Sequence, residues 1–406
     1  MLRIRSFQGL RPADALAARV ACVPYDVVDT AEAAALAAGN PVSLLHVDRA
    51  EIDLPEGTDI HSDAVYAKAV ENFRRLQTDG ALVRESEPCL YLYRQAIDGH
   101  VQTGLAVVCH IDDYENGIIK RHEKTRKDKE DDRTRLIGEL SADTGPVFLT
   151  YRDSPSLDAL VAEVAAGAPL YQFTAPDRVG HTVWRIPGGD RFRELFQAIS
   201  CAYVADGHHR TASAVRVGRE RRASNPAHTG EEDYNWFLCV LFPASQLRIL
   251  PYNRLVQDLN GRSSAEFLAE VRERFELTGR AAPEPDRPGR VSMYLDGNWH
   301  GLAWDPIVDA DPVAALDVSV LQDRLLDPVL GIEDPRISKR IDFVGGIRGT
   351  AALAAAVDSG RAAVAFSLHP VTVGQLMAIA DADRIMPPKS TWFEPKLRSG
   401  LFIHTF

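Results

Sequence analysis

The apolar run Cys201-Ala202-Tyr203-Val204 ends in Ala205-Asp206-Gly207-His208-His209-Arg210, and Thr211-Ala212-Ser213-Ala214-Val215 follows with the composition of a helix's first turns. A strand that passes directly into a helix must turn its backbone within a residue or two, and a glycine at the junction supplies that freedom. Whatever else the chain does, it is expected to contain a strand-turn-helix unit at 201–215. The start of a helix carries unpaired N–H groups and the positive end of a dipole. Two imidazoles and a guanidinium beside it give an anion partners of three kinds, and phosphate is the first choice. The plainer reading is that the histidines cap the helix or pair with carboxylates. Bulky polar residues at a tight turn add little to a core, which favours a ligand.

With 406 residues, 45% of them hydrophobic, the chain is long enough for two or three cores. A formal net charge of −11 argues against non-specific binding to nucleic acid or to an anionic membrane. Cys22, Cys89, Cys109, Cys201 and Cys239 are scattered without a C-x-x-C pair or a zinc-like spacing, as expected of reduced thiols. The first residues lack an apolar signal core, and no run reaches the eighteen or so apolar residues of a membrane span. A cytoplasmic protein without nucleic-acid or membrane partners is expected, and a homodimer is compatible with this composition.

The chain reads as mixed α/β (α+β). Strand-like runs are expected at Cys22–Val28, with Asp26 fixing a turn, and at Val42–Val47, on either side of an alanine-rich helix from Thr30 to Ala38. The spacing of Val65, Ala69, Phe73 and Leu76 predicts a helix over Asp63–Gln77. Asp98-Gly99 between two apolar runs predicts a hairpin of Cys89–Tyr93 with Thr103–His110. Further strands are expected at 146–151, 170–174 and 181–186, and helices at 156–166 and 190–199. The wholly apolar Trp236–Phe242 reads as a central strand covered on both faces. Three prolines in Ala281–Gly289 suggest a boundary or an exposed loop. We therefore expect a domain at 1–280 and a smaller α/β unit at 290–406, with strands near 291–295 and 299–304 and helices near 314–326 and 350–357.

Two more stretches could carry chemistry. Lys120 to Arg133 holds four of the chain's eight lysines. A solvated helix with Glu123 and Lys127 paired four residues apart accounts for much of it. It accounts less well for the polar cluster His122-Glu123-Lys124-Thr125 directly after Ile118-Ile119, so Glu123 is a candidate. The Pro-rich stretch Ile385–Leu401 is either an arm packed by its aromatics or a rigid loop that delivers Lys389, Ser390 or Lys396 to a site on the first domain.

Taken in order, Arg121-His122-Glu123-Lys124-Thr125, Ala205-Asp206-Gly207-His208-His209-Arg210 and Pro387-Pro388-Lys389-Ser390-Thr391-Trp392-Phe393-Glu394-Pro395-Lys396 resemble a bacterial full-length family of unknown function related to the free serine kinases. Those kinases belong to the ParB/sulfiredoxin-like superfamily, and Gly207-His208-His209-Arg210 is similar to its nucleotide-phosphate turn. His208 stands where sulfiredoxin has its catalytic cysteine, so cysteine-sulfinate repair is not expected. A ParB-like role would need a basic DNA-binding helix-turn-helix downstream of Arg222, which the sequence lacks.

The resemblance implies a small-molecule kinase with a ParB/sulfiredoxin-like nucleotide-binding core. It would transfer a phosphoryl group from ADP or ATP to free serine or a similar hydroxy acid. Gly207, His208, His209, Arg210, Thr211 and Lys389 would bind the nucleotide; Asp206 would orient Mg²⁺; Glu123 would be the base, with Asp206, His208 and His209 assisting catalysis. The alternative is a regulator that senses a nucleotide through the same turn without turnover. A metal-dependent hydrolase using His208, His209 and Glu123 is a third reading, disfavoured because adjacent histidines rarely both reach one ion.

Overall fold

A computed structural model describes residues 1–305 and 311–406 of the chain. The fold is mixed α/β and divides into two compact units. Met1–Leu247 and Pro395–Phe406 form the first, and Arg248–Glu394 the second.

The first unit is built on a nine-stranded mixed sheet. Trp236–Pro243 runs through its middle, antiparallel to His100–His110 and parallel to Val147–Tyr151. Its residues from Phe237 onward are buried, which is why the sequence there carries no polar alternation. On one side the order continues through Cys89–Ile97, Gly180–Pro187 and Tyr171–Thr174; on the other it passes from Val147–Tyr151 to Ala202–Asp206 and Ile119–Lys120. The Asp98-Gly99 hairpin forms as expected, with both turn residues at positive φ. One core beneath the sheet gathers Leu92, Val107, Leu149, Phe192, Phe196, Val204 and Leu241. A second gathers Leu44, Leu45, Val65, Phe73, Leu76, Leu136 and Ile403 under the N-terminal helices.

Two expected strands near the N-terminus are not strands. Residues 23–28 form a turn that leaves Asp26 exposed, and Cys22 makes one isolated bridge to Ser399. The run at Val42–Val47 instead contains a short helix, Leu45–Asp48, because Leu44, Leu45 and Val47 bury against the helix Asp63–Thr78 rather than against a neighbouring strand. A short apolar run is ambiguous until its partner is known.

The basic segment also differs from its expected pairing. The helix begins at Lys127, so Glu123 lies in the preceding loop and Lys127 pairs with Asp131 instead. One face of this helix is solvated, while Thr134, Leu136, Ile137 and Leu140 are buried. It packs on the helix His208–Ser224, and Ser213 Oγ donates to the Glu130 carbonyl at 3.0 Å.

The boundary expected at 281–289 lies inside the second unit, which starts at Arg248. The physical reason is strand pairing. Tyr252–Val256 is hydrogen-bonded between Ile341–Gly345 and Val364–Leu368, in an antiparallel six-stranded sheet that also holds Arg290–Leu295, Asn298–Ala303 and Glu276–Gly279. The proline-rich 281–289 is thus a loop between two strands of one sheet. The helix expected at 314–326 is an α-helix, Asp317–Leu321, that widens into a π-helical turn over Gln322–Leu326. Two helices absent from the sequence reading, Ser264–Arg274 and Val373–Asp381, both begin with capping boxes, Ser263 with Glu266 and Thr372 with Gln375.

Asp317 of this unit is held protonated more readily than an ordinary aspartate. Burial pushes its pKa up from 3.8 to about 6, against the opposing hydrogen bond that it accepts from the Gly289 amide at 2.9 Å. The folded state therefore favours the neutral acid, and its contribution is present at pH 3–4 and lost as the pH rises through about 6. Asp317→Asn keeps an acceptor for Gly289 and removes the ionisation. The variant is expected to be more stable than the parent at pH 7.5, with the gain vanishing near pH 4, in urea unfolding followed at both pH values. A gain that is the same at both would exclude ionisation as its cause.

Candidate functional site

Ile119–Lys120 pairs in parallel with Ala202–Asp206, Ile119 beside Ala202 and Lys120 beside Tyr203. Parallel strands end on the same edge of a sheet, so the loop 121–126 and the turn at Gly207 leave side by side. The antiparallel register with Val147–Tyr151 slips between Val204 and Asp206, and this bulge re-aims the strand end that carries Asp206. Gly207 then takes φ 92° and ψ 32°, a left-handed conformation that lets the helix His208–Ser224 start at the next residue. The first amide to find a carbonyl here is that of Thr211, which donates to Gly207 O at 2.9 Å; its hydroxyl reaches the same oxygen at 3.0 Å. The amides ahead of it belong to the unpaired first turn of the helix.

Asp206 sits between two cations. Lys396 Nζ is 3.2 Å from one carboxylate oxygen, and Arg210 Nη2 donates to the other at 3.3 Å. Burial alone would raise its pKa, but Lys396 first and Arg210 second outweigh that and hold it down at about 2. Lys396 is brought there because the C-terminal segment returns to the first unit. Its carbonyl accepts from Gln95 Nε2 at 2.8 Å, Ser399 exchanges backbone hydrogen bonds with Cys22, and the Gly400 amide donates to Thr144 O at 3.0 Å.

Arg210 points back into the protein rather than out of the turn. Its Nη1 donates to Pro146 O at 2.6 Å, and it is 8% exposed. A Cβ at Gly207 would stand 3.1 Å from both Nε and Nη2 of Arg210, so the guanidinium packs under the glycine. Both of its terminal nitrogens are thus engaged within the protein, Nη1 on Pro146 O and Nη2 on Asp206, so Arg210, expected to bind the nucleotide, braces the turn from beneath. Thr211 is fully buried and also serves the turn. His209 is half-buried, and its Nε2 accepts from the Arg126 amide at 3.1 Å, tying the loop 121–126 to the helix start.

His208 is buried and faces His122, edge to face, with ring centroids 4.6 Å apart. Burial drives the pKa of His208 well below its usual value, and the neighbouring His122 drives it further. Burial likewise lowers His122 to about 4, against the pull of the Val204 backbone and Asp206. Both rings are neutral at pH 7. Glu123 completes the group, its carboxylate and a nitrogen of each ring lying within 4.8 Å of one another.

Asp206, Gly207, His208, His209, Arg210 and Thr211 thus converge with Glu123, which folds back from far upstream. Lys389 belongs to the second unit, where its ammonium sits 5.5 Å from the centre of the Tyr252 ring. His122 was not singled out from the sequence, although its position next to Glu123, directly after an apolar pair, was the available signal. Lys396 was one of three options in a Pro-rich stretch, and nothing local distinguishes it from Lys389.

The chain belongs to the family described as Protein of unknown function (DUF1015), whose model matches residues 4–319. No curated protein matches it. Similar solved structures include a conserved hypothetical protein from Pyrococcus furiosus, at 12% identity and a TM-score of 0.36, over 72% of this chain and 93% of that one. A free serine kinase in complex with AMP is similar at 12% identity and a TM-score of 0.37, over 73% and 91%. SbnI with C-terminal truncation, from Staphylococcus aureus, is similar at 9% identity and 0.39, over 72% and 85%. Likenesses at these scores say nothing of what this chain binds. Among the described residues no helix is long and apolar enough to cross a membrane.

The turn itself is testable. Gly207→Ala forces an L-residue to φ 92° and sets a methyl 3.1 Å from the Arg210 guanidinium. Strain of this kind costs about 1–3 kcal/mol. The variant is expected to unfold at lower temperature by calorimetry, and an unchanged melting temperature would mean that the turn accommodates a side chain.

Proposed function

We propose that the chain is a small-molecule kinase that transfers a phosphoryl group from ADP or ATP to the hydroxyl of free serine or a similar hydroxy acid. The observation that carries this reading is the strand-glycine-helix junction at 206–211 with the Glu123 carboxylate folded to within 4.8 Å of a His208 nitrogen at its mouth. The sequence resemblance to the free serine kinases, with the ParB/sulfiredoxin-like turn that it implies, supports it further.

Phosphoryl transfer asks a protein for positioning and for cationic groups where charge gathers. In this reading the amides of His208 and His209 face the donor phosphates at the positive end of a 17-residue helix, with the His209 ring and the Lys396 ammonium beside them. Arg210 and Thr211 hold the turn in shape. Mg²⁺ bound with the nucleotide would neutralise charge on its phosphates. Asp206, ionised but already contacted by a cation at each oxygen, fits it as an acceptor for the ion's waters.

Glu123 takes the hydroxyl proton of the acceptor as its oxygen bonds to phosphorus. The bond from phosphorus to the donor's bridging oxygen breaks, and that electron pair leaves with the nucleotide. His208, neutral and buried, presents a lone pair rather than a charge to this space.

The test is a screen of the full-length chain with Mg²⁺, either nucleotide and a panel of hydroxy acids including serine, read by mass spectrometry for an added phosphate. Phosphoserine is the expected product. Glu123→Gln should lower the rate by about 10²–10⁴-fold, the usual contribution of a positioned base. Absence of transfer to every acceptor with both nucleotides would overturn the kinase reading, and tight nucleotide binding in calorimetry without transfer would favour a nucleotide sensor instead.

A further inference from the structure

We propose that His122, Glu123 and His208 form a site for a divalent transition metal of the Zn²⁺ class, separate from any magnesium that accompanies the nucleotide. The donor atoms come from the loop 121–126 and the first helical residue after Gly207, which the parallel pairing of their parent strands holds together. One oxygen and two ring nitrogens lie within 4.8 Å of one another. Around one tetrahedral ion with bonds near 2.1 Å, ligand atoms stand roughly 3.4 Å apart. A bound ion would have to draw the Glu123 and His122 side chains, both carried by the loop 121–126, into that spacing.

His208 supplies a second, independent observation that points to a ligand. It is 5% exposed, and neither of its ring nitrogens has a hydrogen-bond partner among the described residues. Leaving a buried polar group unpaired is costly, and natural interiors rarely tolerate it. The His122 ring meets it edge to face at 4.6 Å, so the two imidazoles turn toward one space that Glu123 also reaches. Two imidazoles with one carboxylate suit Zn²⁺ and its first-row relatives, whereas Mg²⁺ prefers oxygen alone.

Three protein ligands leave a fourth position open, as in catalytic rather than structural zinc sites. What that position does rests on the kinase reading above. The acceptor hydroxyl would bind there by its oxygen, lose its proton to the Glu123 oxygen that does not ligate, and then attack phosphorus as already described. The existence of the site does not depend on that role.

The experiment is metal analysis of the purified full-length chain, followed by removal of the metal with a chelator and titration with Zn²⁺ and with Co²⁺, whose visible absorption reports its ligand geometry. The expected result is about one tightly held ion per chain and a cobalt spectrum of low-coordinate form. Zinc should also raise the melting temperature of the metal-free protein in a concentration-dependent way. His122→Ala and His208→Ala should weaken binding by at least the roughly 10- to 100-fold that even outer-shell changes cause. Glu123→Gln, on a loop and only half-buried, gives the same readout should either histidine variant fail to fold. His228→Ala, which removes a histidine hydrogen-bonded to Tyr234 elsewhere on the first unit, should leave affinity unchanged. Failure of the metal-free chain to bind Zn²⁺ or Co²⁺, or binding untouched by the three site substitutions, would overturn the proposal. Metal binding without phosphoryl transfer would leave this site standing and remove only the kinase reading; full transfer by the metal-free chain with Mg²⁺ alone would do the reverse for the catalytic role.

Discussion

The meeting of His122 and Glu123 with His208 depends on one short parallel pairing, two residues of Ile119–Lys120 against the start of Ala202–Asp206. Strands far apart in the chain are set in the same direction, so their carboxyl ends open on a common edge and their loops share one space. The pairing is brief, but a broader contact reinforces it. The helices that follow, Lys127–Leu140 and His208–Ser224, pack against each other, and Ser213 and His209 bind backbone atoms on the other segment. The approach of the loop 121–126 to the helix start at His208 is thus set by the fold.

Around that edge the charges are arranged with a clear asymmetry. Asp206 is kept ionised by two cations, while His122 and His208, a few residues away on the same two segments, are kept neutral by burial. The difference follows from what each group can reach. Asp206 has Lys396 and Arg210 within about 3.3 Å; the histidines have chiefly each other, and two imidazoles at close range oppose a shared positive charge. A half-buried anion balanced by cations and a pair of neutral, buried lone-pair donors are different tools.

Much of the scaffold was legible in the residues. Trp236–Phe242 announced a central strand by being apolar on both faces, and Asp98-Gly99 announced its hairpin. Gly207 announced the break between strand and helix, because a left-handed turn is costly for any other residue. Boundaries near Val42–Val47 were not legible, since a six-residue apolar run fits a strand or a helix until its packing partner is known. The strands of the second unit are hidden for a similar reason. Its strand Tyr252–Val256 carries an asparagine and an arginine, Asn253 and Arg254, that are buried by tertiary contacts no local pattern reveals.

The chemical roles divide in the same way. The sequence by itself determined that a helix starts at a glycine beside His208, His209 and Arg210, and that Glu123 sits in a polar cluster after an apolar pair. These are local facts of residue type and spacing. Only the tertiary structure decided that Arg210 turns inward under the glycine, that Lys396 meets Asp206, and that His122 and Glu123 close on His208. The physical reason is that a side chain's role is set by the partners within a few ångströms of it. Here those partners come from segments far apart in the chain, joined by a strand pairing and by the return of the C-terminal segment, neither of which sequence spacing encodes.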